Sequence, residues 1–274
     1  MKITVLVENT APPELIGEHG LSLWIETPQG RVLFDTGQGA ALPQNAERLH
    51  VPLETADAVV LSHGHYDHTG GVPYALSHAP KARLFLHSGS FVSRFSHHKD
   101  GHVHAIGMPE ASVAAIRNAS QPPIFTGHST AVLPGCFVTG TLPRRNAIEN
   151  TGGKFSFDET GSQIDPITDD QALWIEAPKG LIVVLGCAHS GVVNTLDYIS
   201  EVSGQREFYA VLGGMHLNSA SPARLEFTIG ALERYNVQII APGHCTGTGA
   251  TDFLKQRLPG CVREACSRTV FQFD

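Results

Sequence analysis

Short apolar runs rich in β-branched residues recur at 2–7, 21–25, 31–35, 58–61, 83–87, 172–176, 181–185, 208–212, 237–241 and 268–273. Their length and residue types predict strands. Segments 43–50, 71–78, 192–202, 223–235 and 250–257 read as helices between them. Asn9 to Gly20 holds two prolines and two glycines and reads as a loop. Strands and helices alternate in both halves with no internal repeat and no linker. The expectation is therefore an α/β fold, one domain over 1–274. Between Phe91 and about Asp170 the alternation lapses. An irregular insertion of that length inside an α/β domain predicts a lid or binding loop. Its histidines, His97, His98, His102 and His104, suit either metal binding or a solvated loop. His87, at a strand end, reads as exposed or capped.

Composition narrows the class. The 274 residues are 42% hydrophobic and 16% charged, with a net charge of -7 when histidines are neutral. These values fit a globular enzyme acting on a small-molecule substrate and disfavour general nucleic-acid binding through a basic face. No run approaches the roughly 20 apolar residues of a membrane span, and no basic region, apolar core and cleavage site follow in order at the start. A cytoplasmic protein without membrane partners is expected. The oligomeric state stays open, with a homodimer as one option. Five cysteines without a CxxC pair argue against a disulfide framework and a zinc ribbon.

Fifteen histidines are many for this length, and their placement carries the chemistry. The run 58–61 leads directly into Ser62–Gly71, SHGHYDHTGG, with His63, His65, Asp67 and His68 inside six residues. Three imidazoles and a carboxylate are donors suited to zinc or a similar divalent ion. His63 and His65, two apart in extended chain, point the same way and can share one ion. Asp67 and His68 can face a second. Three later strands also run through glycine into histidine: His189 in GCAHSG, His216 in GGMHL and His244 in PGHCTG. Ligands in α/β folds collect at strand ends. Asp35, closing the strand 31–35, can orient a ligand histidine or cap the next helix. Arg144 and Arg145, after another apolar run, can receive a phosphate or carboxylate or simply be solvated.

HxHxDH followed by TGG resembles the metal-binding signature of the metallo-β-lactamase fold superfamily. The four motifs together resemble the branch named after an archaeal dihydropterin synthase, often labelled metal-dependent hydrolases of β-lactamase superfamily II. The resemblance implies an αββα sandwich of two mixed sheets flanked by helices. It also implies one or two divalent ions, zinc first and manganese or iron as alternatives. Oxidoreductase members generally carry glutamate at the position of His65, so histidine there favours the hydrolase side. A matching FDTG element in the superfamily packs under the metal loop, which tips Asp35 towards orienting a ligand. His244 matches the last ligand. One departure stands out: Cys187 occupies the place of a bridging aspartate, as a thiolate ligand or a buried cysteine. No earlier histidine fits the remaining ligand, and His189 is chosen instead.

The working site is thus His63, His65 and His189 around one ion, and Asp67, His68 and His244 around another. Asp67 is alternatively a general base, and His216 a general acid or a further ligand. Hydrolysis of a phosphorylated or ester-like small molecule by metal-activated water is the first reading. A transferase displacing diphosphate, as the branch name implies, is the second. A non-catalytic metal sensor on the same fold is the third.

Overall fold

A computed structural model describes residues 1–273, and each apolar run expected to be a strand is one. The first half supplies β1 (Lys2–Val7), β2 (Ser22–Thr27), β3 (Gly30–Phe34), α1 (Ala41–Arg48), β4 (Ala58–Val60), α2 (Tyr66–Thr69), α3 (Val72–His78) and β5 (Arg83–Leu86). Then come β6 (Phe95–His97), β7 (Val103–Ala105), α4 (Glu110–Arg117), β8 (Ile124–Phe125), β9 (Thr130–Leu133), β10 (Cys136–Val138) and β11 (Phe155–Ser156). The last part is β12 (Leu173–Ile175), β13 (Leu181–Leu185), α5 (Val192–Ser203), β14 (Phe208–Gly214), α6 (Pro222–Arg234), β15 (Ile239–Gly243), α7 (Thr248–Arg257) and β16 (Val270–Gln272).

Two mixed sheets result, ordered β16-β1-β2-β3-β4-β5-β8 and β15-β14-β13-β12-β10-β9. β3, β4, β5 and β8 run parallel in the first, and β13, β14 and β15 in the second. The period-two alternation of side chains sorts residues into layers. Phe34, Val60, Val184 and Leu212 meet in the core between the sheets. Leu33 and Val59 turn outward onto Leu42, Val72 and Ile116 of α1, α3 and α4. Val183 and Val211 turn outward onto Leu196, Ile229 and Leu254 of α5, α6 and α7. Helices therefore cover both outer faces, giving the αββα sandwich. β4 and β13 are buried at every position, which is why their sequences are unbroken apolar runs.

The stretch 91–170 is more ordered than an irregular insertion. β8 extends the first sheet, β9 and β10 extend the second, and β6, β7 and β11 form a small antiparallel sheet of their own. His97 lies in that sheet, its ring nitrogen 2.6 Å from the Ser156 hydroxyl. His87 caps the turn that follows β5, accepting from the Gly89 amide.

All five cysteines are free. Among the described residues no helix is long and apolar enough to cross a membrane.

Candidate metal centre

The loops after β4, β13, β14 and β15 converge where the two sheets meet. The loop after β4 is shaped by close backbone approaches. A Cβ on Gly64 would stand 2.3 Å from the Ser90 carbonyl oxygen, and one on Gly70 2.1 Å from that of Gln38. Only glycine fits there. Strain collects at the same place. Asp35, Ala188, His216 and His244 all have φ between 47° and 57°, a left-handed conformation that side-chain-bearing residues adopt only under tertiary constraint.

His63, His68, His189 and His244 are each held through Nδ1, so that Nε2 faces inward. One carboxylate orients two of them. Asp35 accepts from the Ser62 amide and hydroxyl, both at 2.7 Å, and from His68 Nδ1 at 2.7 Å. The Ser62 hydroxyl in turn lies 2.9 Å from His63 Nδ1. His189 Nδ1 donates to the Thr151 carbonyl at 2.8 Å, and His244 Nδ1 donates to Asn9 Oδ1 at 3.0 Å. Such outer partners fix the tautomer of metal-ligating histidines.

The inner nitrogens face one another. His63 Nε2 is 2.9 Å from His65 Nδ1, and His189 Nε2 is buried with no partner among the described residues. On the other side His68 Nε2 lies 3.2 Å from His244 Nε2 and 3.2 Å from Cys187 Sγ. Asp67 Oδ2 is 3.2 Å from His244 Nε2 and 3.7 Å from His68 Nε2. Cys187 belongs to both sets: with His63 and His189, and with His68 and His244, its donor atom lies within 4.8 Å of the others. Facing lone pairs with no acceptor or donor to pair them are what a bound cation would satisfy. The residues therefore fit a divalent metal site.

The electrostatics agree. Burial, reinforced by neighbouring imidazoles, holds His63 and His189 well below the ordinary histidine range, and burial takes His65 down to about 3. These three are neutral donors. Burial also opposes ionisation of Asp67, but His68, His19 and His244 outweigh it and hold its carboxyl well down. Burial works against a charged His68 too, and Asp67 and Asp35 overcome it and raise that residue.

A consequence for the metal-free protein follows. Below pH 6.5 an unfolded chain protonates His63, His65 and His189, whereas the folded one does not, so their stability contribution is lost as pH falls. His68 contributes oppositely, as one group against three, and Asp67 titrates below this window. Acidifying the metal-free protein from pH 7 to pH 5 is expected to lower its melting temperature by roughly 5–10 °C. A melting temperature flat across that interval would contradict the buried neutral state.

The centre floors an open cavity of about 1230 Å³. His216 lines it, with Nδ1 buried and unpartnered among the described residues. Phe155 packs against His65, His189 and His216, with ring centroids 5.3–6.3 Å away. Several neighbours have no sequence signal of their own. His19, in the glycine- and proline-rich loop, lies 3.2 Å from Asp67 and packs at a tilt against the His244 ring, centroids 4.7 Å apart. Cys245 groups with Cys187 and His216.

Arg144 and Arg145 lie outside the cavity. Arg144 donates to the carbonyls of His189 and Pro166, at 2.7 and 2.5 Å, and Arg145 pairs with Glu201 on the exposed face of α5. Arg144 braces the backbone of His189, and Arg145 is the solvated residue of the two.

Comparison with known proteins agrees with the fold. The Metallo-beta-lactamase superfamily profile matches residues 15–193, and the chain belongs to that superfamily. It is 30% identical over 258 residues to the 7,8-dihydropterin-6-methyl-4-(beta-D-ribofuranosyl)-aminobenzene-5'-phosphate synthase of Methanocaldococcus jannaschii, covering 87% of this chain and 84% of that one. An uncharacterized protein of the same organism is 30% identical over 256 residues, 93% of this chain and 94% of that one. The structure of Tm1679, a metal-dependent hydrolase of the beta-lactamase superfamily, matches over 100% of both chains with a TM-score of 0.85 at 27% identity. The branch read from the four motifs is thereby confirmed.

Proposed function

We propose that the protein is a metal-dependent hydrolase that acts through metal-activated water on a phosphorylated or ester-like small molecule. The observation carrying this reading is the pair of buried donor sets that share Cys187 at the floor of an open cavity. His63, His65 and His189 would hold one ion and Asp67, His68 and His244 the other, with Cys187 between them. When bound, divalent ions, zinc first and manganese or iron as alternatives, supply Lewis acidity and lower the pKa of water towards about 7.

The chain's own groups supply the rest. Asp35, Ser62, Thr151 and Asn9 keep the donor nitrogens aimed inward, which removes reorganisation from the reaction. Asp67 is ionised and reaches the cavity wall, placed either as a ligand or to accept a proton from the attacking water. His216, which lines the same cavity, would give a proton to the leaving group or serve as a further ligand. Phe155 screens three of the histidines from bulk water, which strengthens the electrostatics behind it.

A second reading draws on the 30% identity to the dihydropterin synthase over most of both chains. In a transfer displacing diphosphate, the same cavity would admit a second substrate in place of water.

Metal analysis by mass spectrometry separates these readings from an inert scaffold. Wild type is expected to carry about two equivalents of zinc or manganese, as two-metal sites do. His189→Ala and His244→Ala should each keep about one. The loaded protein should turn over at least one of a panel of phosphodiesters, phosphomonoesters, lactones and pterin diphosphates. Metal exchange without turnover on any of them would favour a sensor instead. No bound metal even after reconstitution would sink the enzyme reading.

A further inference from the structure

Arg224, in the first turn of α6, is 2% exposed. Only one of its side-chain nitrogens meets a protein acceptor: Nη1 donates to Asn150 Oδ1 at 2.8 Å, while Nε and Nη2 have no partner among the described residues. Glu149, the acid whose field it feels, is committed elsewhere: its carboxylate takes the amides of Val193 and Asn194 at 2.8 and 2.9 Å. A buried guanidinium with hydrogen bonds unmade is a cost to stability. It is not accounted for by holding the fold.

What Arg224 does hold is the side chain of Asn150. Asn150 Oδ1 also accepts from the Gly152 amide at 2.9 Å. A guanidinium and a backbone N–H are donors only, so the amide has one orientation. Its oxygen faces Arg224 and its NH2 faces away, with no protein acceptor among the described residues. Asn150 is exposed and lines the cavity beside His189 and His216. The same loop fixes its distance from the metal centre. Thr151 holds His189 through its carbonyl, and Gly152 is so close to His216 that a Cβ there would come 1.9 Å from the ring. The cavity wall carries Lys99, Lys154 and His104, and Asp67 is its one acidic residue. An anionic ligand fits that balance.

We propose that Asn150, held by Arg224, is a substrate-binding residue whose Nδ2 donates to a phosphoryl oxygen above the metal centre. The assignment rests on the hydrolase reading and names a substrate contact for it. Arg224 is a positioning residue that does not itself reach the cavity.

The test is titration of inorganic phosphate into the zinc-loaded protein by calorimetry, with melting temperature and zinc content measured on every variant. Asn150→Asp keeps both hydrogen bonds at Oδ1 and adds an opposite charge beside Arg224, but offers no donor to the cavity. It should melt at or above wild type, hold the same zinc, and bind phosphate at least about tenfold more weakly. Asn150→Ala controls for charge repulsion and should also weaken binding about tenfold. Arg224→Met should melt no lower than wild type and weaken phosphate by roughly threefold or more, because the amide is released. Phosphate affinity within about twofold of wild type in both Asn150 variants would overturn the proposal, as would wild type that binds no phosphate. The hydrolase reading fails on a different result, namely no turnover of any ester by zinc-loaded wild type.

Discussion

Arg94→Met is expected to destabilise the protein by about 3–5 kcal/mol, the usual cost of removing one member of a buried ion network. Arg94 is buried, with Nε 2.7 Å from Asp165 and its two terminal nitrogens 2.8 and 2.5 Å from the two oxygens of Asp169. Removing the cation leaves two carboxylates inside the protein without a counter-charge. Burial alone would push the Asp169 carboxyl up, and Arg94 is the main group holding it down. The variant must protonate these acids or hydrate them, and either costs free energy. For a chain of this size the loss corresponds to a melting temperature roughly 10 °C lower. It should also reach the metal loop. Asp169 accepts the amide of Gly64, between His63 and His65, at 2.8 Å, and the Ser90 hydroxyl at 3.1 Å. Thermal and urea unfolding measure the effect directly. A loss under about 1 kcal/mol, the scale of an exposed pair, would show that the network is hydrated and not a buried anchor.

The second large effect is expected at Cys187. Its thiol is pushed well up by burial and by the adjacent Cys245, so in the metal-free protein it keeps its proton. Binding an ion there must release that proton, and metal affinity should therefore rise with pH. Cys187→Ala removes the donor common to both sets and is expected to lower metal affinity more than about 100-fold, beyond the range seen for outer partners alone. Cys187→Asp should recover most of it. Cobalt reconstitution reads the role without an activity assay. Wild type should show the near-ultraviolet sulfur-to-cobalt absorption of a thiolate ligand, and Cys187→Asp should bind cobalt without it. The same absorption surviving in Cys187→Asp would assign the ligand to Cys245 instead.

Much of this molecule is written locally. β4 and β13 are buried on both sides, and their unbroken Val, Leu and Ile runs state as much. The clustered histidines are legible because they follow such runs, and a strand end is where a packed sheet can present a side chain. Cys187 could be located by its place after β13, although its sequence neighbours do not distinguish a ligand from a buried thiol. The lapse between Phe91 and Asp170 was less legible. β8, β9 and β10 are two to four residues long; β8 and β9 lie at sheet edges, where only one neighbouring strand need be satisfied, and β10 lies next to β9. A pattern that short does not register as a strand.

The sequence by itself determined the layers and the donors, because hydrophobic period and strand-end position are properties of adjacent residues. The tertiary structure alone decided that Cys187 lies within reach of both donor sets, that Arg144 braces a backbone and Arg145 pairs on the surface, and that His19 and Cys245 stand beside the cluster. It also decided that Asn9 orients His244 across 235 positions of chain, and that Arg224 orients Asn150 across 74. Each pairs one buried side chain with one at the cavity wall. Each is specified by the need of the buried member for one hydrogen bond, and nothing in the flanking residues encodes where its partner lies.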